Sequence, residues 1–457
     1  MNSINPNVPE SLMESLNAIA AQLMGRCLSA DGSFALVEEA LDKAIAQVRG
    51  QLVDLALASA QNGFSRELSC DTCRNRLTRW GGHSRVIVTA HGEGRLPVER
   101  WHCRWCNKDV YPILVRNGLT DSQYTIGARR VIAEEAAEAP YAHAARRLSV
   151  RGIIVSATQV DQIAQEIGHW RAHEEECARA YLMLSGRDLA LPLHDKSAWE
   201  RVPAHVAGVL SVDGGKVRST TPAQDGQGLE WFETRAGVVS LNCDEAPKVF
   251  VAGMKEPDKL FETLLSQSRP LVGKRLLVFV ADGARWIWDR VTQFFPKAVQ
   301  VLDIYHAAEH VGSAARACWG AESEQANQWV SSARRMLMQP GGLASVLREL
   351  CQCLKRGTCV DADQVKMEMR YLWTNRGRMH YAQLIAQGLP IGSGIMESAI
   401  KQTSSQRLRQ PGMMWTRERA NLMLRLRAAC LNDSLHFTTQ RHEAIAAKQF
   451  KVYAKAA

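Results

Sequence analysis

Two Cys-x2-Cys pairs, Cys70/Cys73 and Cys103/Cys106, stand 29 residues apart and constrain the N-terminal third of the chain more than any other feature. Pairs of this kind on β-turns bring four thiolates into the tetrahedral arrangement that zinc prefers, and the metal then replaces a core that about 40 residues cannot build. Of the twelve cysteines these four alone form paired knuckles. Four thiolates leave no open coordination position, so the expected ion is a structural Zn2+ and not a catalytic one. His83, His91 and His102 are candidate substitute ligands. A strand-like segment, Val86 to Thr89, lies between the pairs.

The remaining length bounds the architecture. At roughly 100–200 residues per domain, 457 residues imply two to four domains. Apolar residues at 46% and charged residues at 23% are globular values. No apolar run approaches the roughly 20 residues of a membrane span, and Arg275 to Ala281, among the best, is short and flanked by charge. The polar N-terminus lacks the basic start and apolar core of a secretory signal, which reads as cytoplasmic. The net charge of +9 favours an anionic partner such as nucleic acid. That charge is local: between Lys401 and Cys430 seven basic residues face one acidic residue, Glu418. A solvated helix face is the plain alternative to a DNA contact there.

Apolar residues at helical spacing (Leu12, Leu16, Ile19, Leu23; then Leu36, Leu41, Ile45, Val48, Leu52, Leu55) predict a helical hairpin over 10–62 with a break at Ser29 to Ser33, suited to packing or self-association. Residues 127–168 read as a helix-turn-helix. Its first short helix is Ala142 to Leu148, with Ala144, Ala145 and Leu148 inward and the turn at Gly152. Its second, N-capped by Ser156 and ended by Gly168, would be the reader, with Thr158 and Gln159 as candidate DNA contacts. An ordinary helical hairpin is the competing reading.

From His205 the rhythm becomes strand-like. Val206 to Val212 ends at Asp213, with Lys216 to Thr220 and Gly237 to Leu241 as partner strands; a helix from Lys255 to Gln267 follows. Arg275 to Ala281 is a strand ending at Asp282, Trp286 to Phe294 a helix, and Val299 to Leu302 a strand ending at Asp303. Ligands bind at such strand ends in open sheets. Residues 311–386 read as an all-helical insertion, after which Gly392-Ser393-Gly394 starts a helix bearing Glu397. Asp213, Asp282 and Glu397 suit a two-metal phosphoryl-transfer site with oxygen ligands for Mg2+ (or Mn2+). The plain alternative is that strand-end aspartates cap turns and helices.

The strings SVDGGKVR at 211–218, ADGARWIWD at 281–289, VLDIYHAAEH at 301–310 and LPIGSGIMESAIKQTSSQRLRQPGMMW at 389–415 together resemble the ISKra-type bacterial insertion-sequence transposases, DDE transposases of the Mutator-like superfamily. The resemblance covers roughly residues 65–430. It implies a multidomain α/β fold: an RNase H-like (retroviral integrase-type) core with a helical insertion, preceded by a helical N-terminus, a zinc ribbon and a helix-turn-helix. The expected divisions are 1–64 helical, 65–120 zinc ribbon, 121–200 helix-turn-helix and linker helix, 201–310 first part of the core, 311–386 insertion, 387–435 last part of the core and 436–457 tail.

By position the resemblance makes Asp213, Asp282 and Glu397 the catalytic and Mg2+-holding trio. Asp303 and His306 match an Asp/Cys-x2-His signature of the relatives, and Asp303 also competes with Asp282 as second ligand. His306 would contact a phosphate or a metal ligand, or is a core histidine. Lys401, one turn beyond Glu397, would reach a phosphate. Trp286, Trp288, Trp319 and Trp373 read mostly as core, with base stacking as the alternative. Glu309 and His310 read as facing solvent.

The implied activity is hydrolysis of a phosphodiester at the transposon end followed by transfer of the freed 3′-hydroxyl to target DNA. Arg407, Arg409, Arg417, Arg419, Arg425 and Arg427 would hold the DNA backbone. The partners are inverted-repeat ends and target DNA, with a homodimer or larger assembly on DNA in the bacterial, nucleoid-associated cytoplasm, and no membrane. Three rival readings are an RNase H-fold nuclease that cuts without joining, a catalytically inactive or domesticated DNA-binding protein derived from a transposase, and a thiol enzyme.

Overall fold

The computed structural model describes residues 10–28, 33–60, 67–187, 197–222, 228–243 and 246–454. Two units divide them: residues 1–167 with 435–457, and residues 168–434.

In the first unit the expected hairpin is α1 (Glu10–Leu28) and α2 (Phe34–Ser59). The break between them lies outside the described residues except for Ser33. Their apolar seam is largely exposed, including Leu36, Leu41, Ile45 and Leu52, while Ala40, Ala44 and Val53 are buried. Helix α2 packs on the next sheet where Gly94 has no side chain: a Cβ there would lie 2.7 Å from Val53 Cγ1. That sheet is β1 (Thr78–Thr89), β2 (Gly92–Cys103) and β3 (Lys108–Val110), antiparallel throughout.

Next come α3 (Pro112–Arg116), α4 (Ile126–Glu138), α5 (Tyr141–Val150) and the start of α6 (Ala157–Ser185), whose residues from Gly168 on belong to the second unit. Ala144 and Leu148 are buried, Ala145 half-buried, and Gly152 makes the turn at φ +78°. Ser156 Oγ accepts the Gln159 N–H at 3.2 Å while Gln159 Oε1 accepts the Ser156 N–H at 2.9 Å, a reciprocal cap that starts α6. The expected end at Gly168 is corrected: α6 runs on to Ser185. A glycine at 168 serves close packing instead, since a Cβ would stand 3.0 Å from that of Leu422.

The second unit is built on a five-stranded sheet of β4 (Gly208–Pro222), β5 (Leu229–Leu241), β6 (Val249–Gly253), β7 (Leu277–Ala281) and β8 (Val299–Leu302), after the short α7 (Ser197–Glu200). The order is β6-β5-β4-β7-β8. The first three strands pair antiparallel, and β4, β7 and β8 pair parallel. Here too the sequence reading is corrected, because Lys216 to Thr220 continues β4 and is not a separate partner strand; the third antiparallel strand is β6. Flexible Gly214 and Gly215 do not break the strand because both pair with β5 and tertiary pairing overrides local propensity.

Strand β7 shows why the sheet is buried on both faces. Its Leu277, Phe279 and Ala281 enter one apolar cluster, with α8 (Pro257–Ser268) and α9 (Arg285–Phe294). Val278 and Val280 enter the opposite cluster, made by α10 (Ile304–Trp319), α11 (Glu324–Leu337), α12 (Gly342–Arg356), α13 (Ala362–Thr374) and α14 (Tyr381–Ala386). The helical segment after the last strand is therefore a packed cover on one sheet face.

Two further helices, α15 (Gly394–Ile400) and α16 (Gln406–Leu408), flank a π-helical turn, Lys401–Ser405, before α17 (Arg417–Leu431). The stretch read as a C-terminal tail is instead helix α18 (Leu435–Ala454) of the first unit. It is tied there by the Ser69 N–H donating to Tyr453 O at 2.9 Å and by Tyr453 Oη donating to Asp71 Oδ2 at 2.9 Å.

Phe279 is fully buried, with its ring within 6.5 Å of those of Phe261, Phe295 and Trp288. Replacing it by alanine is expected to cost about 3–5 kcal/mol in chemical denaturation followed by circular dichroism.

Candidate functional sites

Parallel pairing lines up three aspartates. Leu210 stands opposite Phe279, and three residues beyond each lie Asp213 and Asp282. Ala281 stands opposite Leu302, so Asp282 and Asp303 are also neighbours across strands. Ser211 Oγ donating to Val280 O at 2.5 Å holds β4 and β7 together just before the row.

Each aspartate uses one oxygen on local backbone. Asp213 Oδ1 accepts the Gly214 N–H at 2.6 Å, Asp282 Oδ1 that of Ala284 at 2.9 Å, and Asp303 Oδ1 that of Tyr305 at 2.9 Å, capping α10. Asp303 is buried, and its other oxygen accepts a hydrogen bond from Ser393 Oγ. The Ile304 N–H also donates to Ile391 O at 2.9 Å, so the Gly392–Gly394 loop is fixed against the β8–α10 turn. A Cβ on Gly392 would reach within 3.0 Å of the Tyr305 ring. This loop starts α15, which packs on β4 and β5 and carries an exposed Glu397.

Asp213 and Asp282 are therefore adjacent, Glu397 arrives on a helix above the same strand, and Asp303 is committed to capping and to Ser393. The three carboxylates of Asp213, Asp282 and Glu397 are not drawn into a closed set: among the described residues the four cysteines alone gather within 4.8 Å of one another.

Asp213 is held above the usual carboxylate range, first by burial and then by the negative charges of Asp282 and Asp303, against the Gly214 N–H and the charge of His306. His306 thus belongs to the carboxylate end of the sheet; it is half-buried, with Nδ1 at 3.3 Å from Glu309. Lys401 is exposed at the start of the π-helical turn. His310 does not simply face solvent: its Nδ1 pairs with the buried Glu368 at 2.5 Å and its ring stacks on Tyr371 at 3.4 Å.

Tyr371 and Ser393 stand beside Asp282 and Asp303, and sequence reasoning passed over both. A Cβ on Gly283 would collide with Tyr371 Oη at 2.1 Å, so the glycine after Asp282 admits this hydroxyl, whose pKa burial and then the Asp282 charge push up to about 12. The only signal for Ser393 was its place between two glycines.

The thiols of Cys70, Cys73, Cys103 and Cys106 do gather. Sγ atoms of Cys73 and Cys103 are 3.5 Å apart, and those of Cys70 and Cys106 are 3.9 Å apart. Sulfurs at about 2.3 Å from a tetrahedral zinc stand roughly 3.8 Å apart, so the four could hold a metal such as zinc. Cys73 is lowered to about 6, chiefly by the backbone at Asn75, and Cys106 is raised to about 12, chiefly by Cys73. Four thiols this close cannot all ionise unless a cation sits among them. His102 is not a ligand: it stacks on Trp80 at 3.9 Å, and its Nδ1 pairs with Asp109 at 2.8 Å.

The arginines divide. Arg407 and Arg427 are fully buried, and Arg425 pairs with buried Glu175 at 3.0 Å. These three are corrected from DNA contacts to internal struts, because burial leaves no guanidinium facing a backbone phosphate. Arg409, Arg417 and Arg419 are exposed, as is Thr158, while Gln159 is spent on the helix cap. Of the four tryptophans, Trp288 is buried, Trp286 and Trp319 are half-buried, and Trp373 is exposed with the Arg376 guanidinium 4.4 Å from its ring centre.

The fold and its two clusters define a mixed α/β protein with a four-cysteine, metal-competent unit and a strand-end carboxylate row. Residues 268–443 match the family model described as Uncharacterised protein family (UPF0236), a span that includes Asp282, Asp303, His306, Glu397 and Lys401 but not Asp213 or the four clustered cysteines. No curated protein matches the chain.

Two measurements test these clusters. Cys70→Ser or Cys103→Ser should abolish stoichiometric zinc in elemental analysis and lower the melting temperature of the first unit. For Asp213, a folded-state pKa above the unfolded value means that the folded protein binds the proton more tightly. The group therefore costs stability once pH rises through the unfolded value near 4 and on through the folded one. Asp213→Asn should then raise Tm at about pH 7 and change little below about pH 3, while added Mg2+ should raise the Tm of the wild type and not of the variant.

Proposed function

We propose that this chain is a DDE transposase of a bacterial insertion sequence, which binds transposon ends and carries out phosphodiester hydrolysis and strand transfer. The observation that carries the reading is the adjacency of Asp213, just past the part of β4 that pairs with β7, and Asp282, at the C-terminal end of β7, beneath a helix that brings Glu397. The sheet order, three antiparallel strands followed by two parallel ones, supports an RNase H-like core. The antiparallel cysteine-bearing sheet supports a zinc ribbon, and the helix pair α5–α6 supports a helix-turn-helix.

The donor set fits hard divalent cations: all carboxylate, crowded with like charge, with one oxygen of Asp213 and of Asp282 already oriented by a backbone N–H. Bound there, Mg2+ or Mn2+ ions would lower the pKa of the attacking water or 3′-hydroxyl and offset the charge developing on the phosphate. The protein's own part is positioning. Asp213 and Asp282 are fixed by strand register, Glu397 is brought by a helix whose start is bonded to Asp303, and Tyr371 Oη sits beside Asp282. His306 and Lys401 stand within the same region to meet phosphate oxygens. Exposed Arg409, Arg417 and Arg419 supply sequence-independent backbone contacts, with the zinc unit and α6 engaging the ends, in a dimer or larger assembly on DNA in the bacterial cytoplasm.

The test is a reaction of purified protein with labelled transposon-end DNA and Mg2+. Wild type should cleave and join; Asp213→Asn, Asp282→Asn and Glu397→Gln should bind the ends and do neither. Asp303→Asn should retain chemistry, reduced through misplacement of the Glu397 helix. Binding without cleavage by wild type in any divalent metal would favour a DNA-binding protein without catalysis, and cleavage without joining would favour a nuclease.

A further inference from the structure

A cavity of about 610 Å³ opens beside the distal half of the β4–β5 hairpin, lined by Lys216, Arg218, Trp231, Arg409 and Met413 among others, with no acidic residue in its wall. Its size is within the roughly 300–1,000 Å³ of small-ligand sites. Trp231 is 56% exposed, although the strand holds it in register directly opposite Arg218. Large aromatic rings are ordinarily buried on average, so an ordered, half-bare indole flanked by cations is a binding surface in search of a flat, anionic ligand.

The segment from Leu408 to Met413 lines the rest of the cavity and is held in place by the residues around it. Trp415 is buried and lies alongside β4, its N–H donating to Arg218 O at 3.1 Å and its carbonyl accepting the Thr220 N–H at 3.0 Å. Trp415 Nε1 donates to Leu408 O at 3.1 Å, and the buried Arg407 guanidinium lies 5.1 Å from its ring centre. Arg409 Nε donates to Lys216 O at 2.6 Å, which fixes its guanidinium at the rim. The buried arginine excluded above as a DNA contact thus shapes the loop that walls the pocket.

We propose that this pocket binds an unpaired nucleotide of DNA, with the base stacked on Trp231 and the flanking phosphates met by Lys216, Arg218 and Arg409. Stacking on an aromatic face is tolerant of base identity, and cations around it track the backbone. The pocket lies three to five residues along β4 from Asp213, about 10–16 Å of extended strand, which is two to three nucleotides from the carboxylate row. It rests on the transposase reading for its ligand and adds to it a defined station for a frayed or flipped base two to three nucleotides from the scissile phosphate.

The test uses the zinc-loaded full chain without added Mg2+ or Mn2+, so that catalysis plays no part, and compares a blunt duplex with the same duplex carrying a two-nucleotide overhang containing 2-aminopurine. Wild type should prefer the overhang and quench its fluorescence. Trp231→Ala should weaken overhang binding about tenfold, abolish the quenching and leave blunt-duplex affinity unchanged, while Trp231→Phe keeps most of both. Arg218→Ala should weaken overhang binding and reduce its salt dependence. If wild type binds both duplexes equally, or Trp231→Ala keeps preference and quenching, the pocket assignment is overturned and the DNA reading stands. If wild type binds neither duplex, both fall.

Discussion

The parallel register of β4, β7 and β8 is the constraint on which the second unit depends. It takes three aspartates that are separated along the chain and sets them side by side at one end of the sheet. The register can hold because the central strand of the three, β7, is buried on both faces: Val278 and Val280 pack into the helical cover while Leu277 and Phe279 pack against α8 and α9. A slip of one residue would exchange these sets and put each side chain into the cluster shaped for the other. The apolar core and the placement of the carboxylates are thus one arrangement.

That arrangement places like charges close together, and the protein manages them unequally. Asp303 is engaged on both oxygens, capping α10 and accepting from Ser393. Asp213 and Asp282 keep an oxygen each for other purposes, and burial with mutual repulsion holds Asp213 above its usual range. The division gives the three aspartates different parts: Asp303 holds the loop that starts the Glu397 helix, while Asp213 and Asp282 stand beside each other across β4 and β7. The cysteine unit shows the same economy, since four thiols within 4.8 Å are mutually costly without a cation and become a small domain's organising centre with one.

The elements most legible in the sequence were those with strong local signals. Leu277–Ala281 and Val299–Leu302 appear where short apolar runs ended in aspartate, and α8 and α9 fall within two residues of their expected starts. The cysteine cluster followed from spacing. Less legible were features set by partners distant in sequence. Val206 to Val212 and Lys216 to Thr220 looked like two strands and are one; Gly168 looked like a stop and is a packing contact; the final residues looked like a tail and form a helix held by Ser69 and Asp71. Charge density between Lys401 and Cys430 suggested one basic face, whereas Arg407, Arg425 and Arg427 point into the protein.

What the sequence by itself determined was chemistry in place: which strands end in carboxylates, which cysteines are paired, and where helices replace strands. These depend on neighbours a few residues away, through side-chain periodicity, capping and turn geometry. Only the tertiary structure decided which of those groups meet. Strand register put Asp213 beside Asp282, the bond from Ser393 gave Asp303 a supporting part, and the buried arginines were drawn inside by carbonyls and carboxylates from distant segments. Such pairings are set by the packing of the whole sheet and its cover, a long-range condition that no local window of sequence contains.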